Sequence, residues 1–405
     1  MAGSESLFWY DSGMAKFVLA VLFIFSVEVH AQSWKERATV YTTTHWIVRT
    51  DLPSEHAVDA GRLFDAVYEA YRNGLSMLPE QRDVKLEAWV FQNRGDYLGT
   101  VSSFGASPEN SGGMFISAIG ITAVDVSGSW RTFESTAKHE AFHQFASSRF
   151  AKGIPTWLNE GLAEYFENTV YINGSIINGQ VSNSTLQALQ NDIQTNSCIR
   201  FLELMRMSQK TWNQNLVDGN GAKQYRQAWA MVHFLVHSNN GQYASSFDRY
   251  LLLIAKGVNH EEAFVSAFKT DDLESFERAW ATYINNLKPS SSKLAAHRLN
   301  FLAAGAKECL KRERKVSSLK GLYASLQTIG FKTTLSVNYE EQAFDANDQS
   351  NYAVPPDSFS AKPEFIYKAN TPLPSIYTTG LEPFNLYVKW FRKNGNLSWT
   401  IEVGN

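Results

Sequence analysis

Two histidines four residues apart are the side chains of this sequence best suited to chemistry. Residues 135–145 read STAKHEAFHQF, so His139, Glu140 and His143 follow the pattern H-E-x-x-H. Residues four apart lie on one face of a helix, so both imidazoles can reach one tetrahedral metal ion. Glu140 directly follows the first histidine. There its carboxylate can take a proton from water activated by a metal and return it to a leaving group.

A second acidic segment follows seventeen residues after His143. Residues 155–165 read PTWLNEGLAEY and open another expected helix. Catalytic zinc usually takes three protein ligands, and Glu160 offers the missing carboxylate. Glu164 lies one turn later on the same face, where it can accept the second N–H of a ligand histidine. The competing interpretation is that both are solvated carboxylates on an exposed face, and the histidine pair weighs against it.

These two segments resemble those of the gluzincins, the group of zinc peptidases that includes thermolysin and aminopeptidase N. The matching residues are HEAFH and, after it, WLNEGLAEY. In that family the Glu of the N-E-G element is the third zinc ligand, and the acidic residue four positions later supports a histidine. The resemblance gives these roles to Glu160 and Glu164. It also implies the zincin-like fold, with one Zn²⁺ per chain. The overall resemblance is greatest to exported bacterial zincin-like proteins with an uncharacterised peptidase domain.

The ligand types themselves also favour zinc. Two imidazoles and a carboxylate suit Zn²⁺ best, although the same set would hold Co²⁺ or Mn²⁺.

One departure from the family bears on specificity. Aminopeptidases of this group carry a G-x-M-E-N element that captures the free amine of the substrate. This chain has GGMFI at residues 112–116, without the Glu. We therefore expect endopeptidase rather than aminopeptidase activity. By the same analogy, a strand at residues 121–126 is expected to be the sheet edge beside the metal, where an extended peptide would pair.

A donor to the developing oxyanion is also needed, usually a Tyr or His from a later helix. The sequence QYRQAWAMVHFLVHS offers Tyr225, which we favour, and His233 as the alternative. For both, a purely structural role as a packed aromatic or a core histidine is the competing interpretation.

The elements that position these residues follow from periodicity. The fold class expected is α+β: a small mixed α/β lobe over residues 32–130, then a helical catalytic lobe over 131–290 that carries the zinc site. A linker of sequence KPSSS begins at Lys288. A β-leaning C-terminal module of unknown role follows over 291–405. The two cysteines, Cys198 and Cys309, would either pair in an oxidising compartment or stay free.

The N-terminus predicts export. Residues 17–27 are apolar apart from Ser26, and Ala31 precedes a plausible cleavage point, which is typical of a signal peptide over residues 1–31. The run is too short to span a bilayer, so no stable membrane insertion is expected after cleavage; a retained anchor is the alternative. A start at Met14 would give a more ordinary basic N-terminal region than a start at Met1. The protein is then periplasmic or secreted.

Composition narrows the partners. The chain has 405 residues, 44% of them hydrophobic, and a formal net charge of −3. It lacks the basic stripe of a nucleic-acid-binding protein, so a peptide or protein substrate is expected. The sequence thus predicts a zinc metallopeptidase. The alternatives are a zinc amidase acting on cell-wall peptides and a non-enzymatic binding protein with the zincin fold.

Overall fold

The computed structural model describes residues 34–79, 84–337, 339–370 and 372–404. The expected signal peptide and both candidate start positions lie outside these residues. The described chain is a mixture of helices and small sheets, with an antiparallel sheet module at its C-terminal end, as the α+β prediction requires. Within the described residues, no helix combines the length and apolar character needed to cross a membrane.

The first lobe is built on a five-stranded sheet of order β1-β2-β3-β5-β4. Strands β2, β3 and β5 run parallel, and β1 and β4 are the antiparallel edges. Helix α1 (Ser54–Gly74) connects β2 to β3, and α2 (Arg94–Ser102) follows β3. The strands are β1 (Thr39–Thr42), β2 (Trp46–Thr50), β3 (Leu86–Phe91), β4 (Gly113–Ile116) and β5 (Ile121–Asp125).

The order of this sheet corrects one expectation. The strand at residues 121–126 is not the edge, because β5 lies between β3 and β4. All five residues of β5 are buried, as expected for a strand paired on both sides. The edge strand beside the histidine helix is β4, which carries the Gly-Met-Phe-Ile sequence.

The helical lobe begins with the two helices that carry the candidate ligands. Helix α3 (Trp130–Arg149) starts at Ser129, whose hydroxyl accepts a hydrogen bond from the Thr132 amide. Helix α4 (Thr156–Glu167) starts after Pro155. The remaining helices of this lobe are α5 (Asn183–Gln194), α6 (Phe201–Arg206), α7 (Gln209–Val217), α8 (Gly221–Gly241), α9 (Ala244–Ala255), α10 (His260–Phe268) and α11 (Leu273–Asn286).

A short hairpin follows α4. It consists of β6 (Val170–Ile172) and β7 (Ser175–Ile177), joined by the Asn173-Gly174 turn in which both residues have positive φ. The Asn178-Gly179 pair lies directly after β7. It leads the chain toward α5.

The C-terminal part packs helices against antiparallel strands. Helix α12 (Ser292–Lys311) and α13 (Leu319–Thr328) precede two sheets, one of β8 and β9 and one of order β10-β11-β12-β13. The strands are β8 (Lys332–Val337), β9 (Glu340–Asp345), β10 (Glu364–Lys368), β11 (Ser375–Thr379), β12 (Leu386–Lys393) and β13 (Asn396–Val403). Cys198 and Cys309 are both free thiols, so they do not tie the helical region to this part of the chain.

The cores explain how the parts hold together. One buried apolar cluster runs from the first sheet and α1 through α3 and α4 into the later helices, so it crosses residue 130 without interruption. A second cluster fills the C-terminal part and includes Ile172 and Ile177 of the β6–β7 hairpin. The division into units at residues 130 and 290 stays a prediction.

The C-terminal part also touches the first lobe. Tyr339, between β8 and β9, packs its ring 4.5 Å from that of Trp130, the first residue of α3. Its hydroxyl donates a 2.5 Å hydrogen bond to Asp59 of α1. The tip of this hairpin therefore contacts both α1 and the start of the helix that carries the histidines.

Candidate metal centre

Helix α3 presents the H-E-x-x-H residues as their spacing predicts. His139 and His143 lie one turn apart, with ring centroids 4.8 Å from each other. Apolar residues of α3, including Phe142 and Phe145, are buried in the core, which fixes the rotation of the helix. The side chains of His139 and His143 are 12% and 13% exposed, so both imidazoles remain partly accessible to solvent.

Helix α4 brings Glu160 to this pair. The next residue, Gly161, allows α4 to approach α8 closely, because a Cβ atom there would lie 2.7 Å from the Ala228 carbonyl oxygen. The Glu160 carboxylate lies between α3 and α8 and is 7% exposed. The Oε2 atom is 3.5 Å from Nε2 of His139 and 3.5 Å from Nε2 of His143.

These distances suit a tetrahedral metal site better than hydrogen bonds. A separation of 3.5 Å exceeds a normal N–H···O hydrogen bond. Two ligands that each lie about 2.0–2.1 Å from a tetrahedral zinc ion are roughly 3.4 Å apart. Within the described part of the chain, the buried Glu160 Oε2 atom has no hydrogen-bond partner. Unsatisfied buried carboxylate oxygens are costly, and a cation at this point would satisfy the atom. The three residues could therefore hold a metal ion, and their ligand types suit zinc.

The electrostatics of Glu160 point the same way. Burial alone would raise the pKa of Glu160, but the neighbouring charges of His143 and His139 hold it well below its usual value. Burial alone would lower the pKa of His139, but the carboxylates of Glu160 and Glu167 raise it. The Glu160 carboxylate is thus ionised at neutral pH, the form in which a carboxylate can bind a metal.

Glu140 is held by the edge strand of the sheet. Its Oε2 atom accepts a 2.8 Å hydrogen bond from the backbone N–H of Phe115 in β4. Close packing makes this contact feasible, since a Cβ atom at Gly113 would lie 2.5 Å from Cγ2 of Thr136 and 3.2 Å from Cγ of Glu140. The carboxylate expected to act as general base therefore lies next to the edge strand of the sheet.

The histidine support expected from Glu164 is made by a different residue. Nδ1 of His139 makes a 2.9 Å hydrogen bond to Oε2 of Glu167, three residues beyond Glu164 on α4. Glu164 lies close by: one of its carboxylate oxygens is within 4.8 Å of a ring nitrogen of His139 and of a carboxylate oxygen of Glu167. Burial, and then the charge of Glu167, raise the pKa of Glu164 to about 7. Glu167 therefore supports His139, and a contact of Glu164 with a ligand histidine stays a prediction.

Tyr225 lies beside the cluster, near the start of α8. Its ring centroid is 6.2 Å from that of His139 and 5.1 Å from that of Trp212. Burial, and then the charge of Glu160, raise the pKa of Tyr225. The hydroxyl therefore keeps its proton at neutral pH and can act as a hydrogen-bond donor.

His233, the alternative donor, has a structural environment. It is fully buried, with Nε2 3.3 Å from the Gly179 carbonyl oxygen and Nδ1 2.9 Å from the Tyr283 hydroxyl. Both ring nitrogens are thus engaged in the core. Burial lowers the pKa of His233 well below its usual value, so the ring is neutral. His233 is not available to a substrate.

Two contributors were not found by sequence reasoning. The Phe115 N–H is a backbone group and has no signature in the sequence. Glu167 does have a signal, because it lies seven residues after Glu160 and so on the same face of α4. That face carries three carboxylates, and only the way α4 packs on α3 decides which of them reaches Nδ1 of His139.

One family model matches the chain. Its description is "Protein of unknown function (DUF1570)", and the match covers residues 134–250. The matched segment begins within α3 and ends within α9, so it includes both histidines and all the acidic residues of the cluster. No curated protein matches the chain.

Proposed function

We propose that this protein is a zinc-dependent metallopeptidase of the gluzincin type, acting on a peptide or protein substrate as an endopeptidase. The observation that carries the proposal is the convergence of two Nε2 atoms and one buried carboxylate oxygen at 3.5 Å separations, with a second carboxylate beside them. Export to the periplasm or the medium is part of the proposal.

His139, His143 and Glu160 would hold the ion. A zinc ion there would supply Lewis acidity, which polarises a carbonyl group and lowers the pKa of water. Glu140 would take the proton of the attacking water and deliver it to the leaving amine. Tyr225 would donate a hydrogen bond to the carbonyl oxygen as negative charge develops on it.

Strand β4 would orient the substrate. It is the edge of the sheet, and Glu140 lies against its Phe115 N–H. A peptide in extended conformation can pair with such an edge through backbone hydrogen bonds, which does not depend on the peptide's terminal amine. This geometry supports cleavage within a chain.

The first test is the metal content of the purified protein, measured by elemental analysis beside a His143→Ala variant. We expect about one zinc per chain in the wild type and loss of zinc in the variant. A panel of unstructured protein and cell-wall peptide substrates then tests hydrolysis, with Glu140→Gln as the control that keeps all three ligands. A wild type that binds no zinc when zinc is supplied would refute the proposal. Zinc binding without hydrolysis of any substrate would favour a binding protein.

A further inference from the structure

We propose that Glu167, and not Glu164, is the residue that positions His139 for metal binding. This inference rests on the proposed function in that it takes His139 to be a zinc ligand. It departs from the four-residue spacing on which the gluzincin resemblance depends.

The Glu167 carboxylate is clamped by two residues of α3. Nδ1 of His139 donates to Oε2 at 2.9 Å, and the hydroxyl of Ser135 donates to Oε1 at 2.5 Å. Ser135 and His139 are four residues apart, so their side chains lie on one face of α3. Each oxygen of the carboxylate therefore has its own donor, which fixes both the position and the rotation of the group.

These hydrogen bonds determine which nitrogen of His139 carries the proton. An ionised carboxylate only accepts hydrogen bonds, so the proton must be on Nδ1. The lone pair of the neutral ring is then on Nε2, the atom that lies 3.5 Å from Glu160. A carboxylate in this position also raises the basicity of the ligand nitrogen.

The spacing on α4 explains why the residue seven positions after Glu160 makes this bond. Glu160 contacts one nitrogen of the His139 ring and Glu167 contacts the other, so the two carboxylates bracket the imidazole. Seven residues are almost two full helical turns, so Glu167 returns to the face of α4 that carries Glu160.

The Glu167 carboxylate is also accessible to solvent. Its side chain is 28% exposed and lines a cavity of about 370 Å³ between α3, the β6–β7 hairpin and the start of α12.

The test compares two isosteric variants on the same helix face, Glu167→Gln and Glu164→Gln, with zinc alone as the probe. Zinc affinity is measured by competition with a chelator at pH 7. We expect Glu167→Gln to weaken binding about 10–100-fold, the usual effect of losing such a partner, and Glu164→Gln to change it by less than about 3-fold. Ser135→Ala, which loosens the carboxylate without removing its charge, should fall between them.

A second readout needs no metal. In ¹⁵N-histidine NMR spectra of the metal-free protein, recorded at a pH high enough that the His139 ring is neutral and with His139 assigned by a His139→Ala variant, we expect the Nδ1–H tautomer in the wild type and in Glu164→Gln. Glu167→Gln should give a mixture of tautomers. An Nε2–H tautomer in the wild type, or equal loss of zinc affinity in the two glutamine variants, would overturn the inference. Absence of peptide hydrolysis would count against the proposed function only.

Discussion

The carboxylate of Glu140 and the backbone N–H of Phe115 are joined by a 2.8 Å hydrogen bond, which links α3 directly to the edge of the first sheet. The contact depends on how closely β4 lies against the helix. Gly113, two residues earlier on the strand, is the residue that permits this approach, because any side chain there would meet Thr136.

Gly113→Ala should therefore reduce peptide hydrolysis at least about tenfold while zinc binding stays near the wild-type level. The added methyl group would push β4 away from α3 and displace Glu140 from its backbone donor, and misplacement of this size near reacting groups is costly. The measurements are kcat/KM on a peptide substrate and zinc content on the same preparation.

A matched control is Gly128→Ala, since no atom lies within 4 Å of a Cβ built at Gly128. That variant should retain full activity. Thr136→Ser combined with Gly113→Ala removes the atom in closest contact and should restore part of the lost activity. Equal activity of Gly113→Ala and wild type would show that the close approach of β4 does not matter.

Zinc should stabilise the folded protein. At a free zinc concentration of 100 Kd the expected gain is about 2.7 kcal/mol in the free energy of unfolding, because zinc binds the native ligands together. For a chain of this size that corresponds to a rise in Tm of roughly 3–6 °C. Differential scanning fluorimetry with and without added zinc, after treatment with a chelator, gives the measurement.

Two variants test whether the increase in Tm comes from zinc bound at His139, His143 and Glu160. Glu140→Gln keeps the three ligands and should show the full increase in Tm, whereas His143→Ala should show little or none. The same increase in His143→Ala as in the wild type would mean that zinc binds elsewhere.

Tyr225→Phe should lower kcat about 10–100-fold and leave KM and zinc content nearly unchanged. The hydroxyl is expected to donate to the oxyanion only as charge develops, so its loss raises the transition state more than the bound substrate. Steady-state kinetics on one peptide substrate separates the two parameters. Tyr243→Phe, on a ring that packs against Phe276, is the control. An unchanged kcat would remove Tyr225 from the mechanism.

Stability should fall on acidification because two histidines are buried as neutral rings. Burial lowers the pKa of His237 to about 4 and that of His233 well below its usual value. Between about pH 6.5 and pH 4 the unfolded chain binds protons at these two rings that the folded chain does not, so the contribution of the two rings to stability decreases as the pH falls through that window and is level above it.

The slope attributable to each ring is about 1.4 kcal/mol per pH unit, or up to about 2 kcal/mol from His237 at pH 5. Chemical unfolding of the metal-free protein at pH 5, 6 and 7 measures it. His237→Gln keeps a polar partner for the Tyr165 hydroxyl, which lies 2.8 Å from Nε2, and should flatten the profile. An unchanged profile in this variant would be evidence against a buried neutral His237.

The sequence was most informative where function depends on spacing within one helix. The positions of His139 and His143 on α3 follow from the i, i+4 rule, and the residue types of Glu160 and its neighbours indicated the partner helix. Helical and strand periodicity also gave the order of the α/β lobe, the helical lobe and the β-leaning C-terminal part.

The features that could not be predicted from the sequence depend on packing between helices and strands. Whether β4 or β5 forms the edge follows from strand pairing across the sheet, and both strands have suitable residues. Whether Glu164 or Glu167 reaches His139 follows from the position of α4 along α3. The roles of His233 and Tyr225 likewise differ because of which helix covers each of them, although both lie on α8.

The contact of Tyr339 with Asp59 has a consequence for how the protein is assembled. The two residues are 280 positions apart. Closing so long a loop in a flexible chain costs about 5 kcal/mol of entropy, and one hydrogen bond returns about 1 kcal/mol. This contact therefore forms late, after the two cores have brought the hairpin and α1 together. Until the C-terminal strands have folded, the ring of Trp130 at the start of α3 lacks its contact with Tyr339. A change in Trp130 fluorescence would therefore report the final docking step.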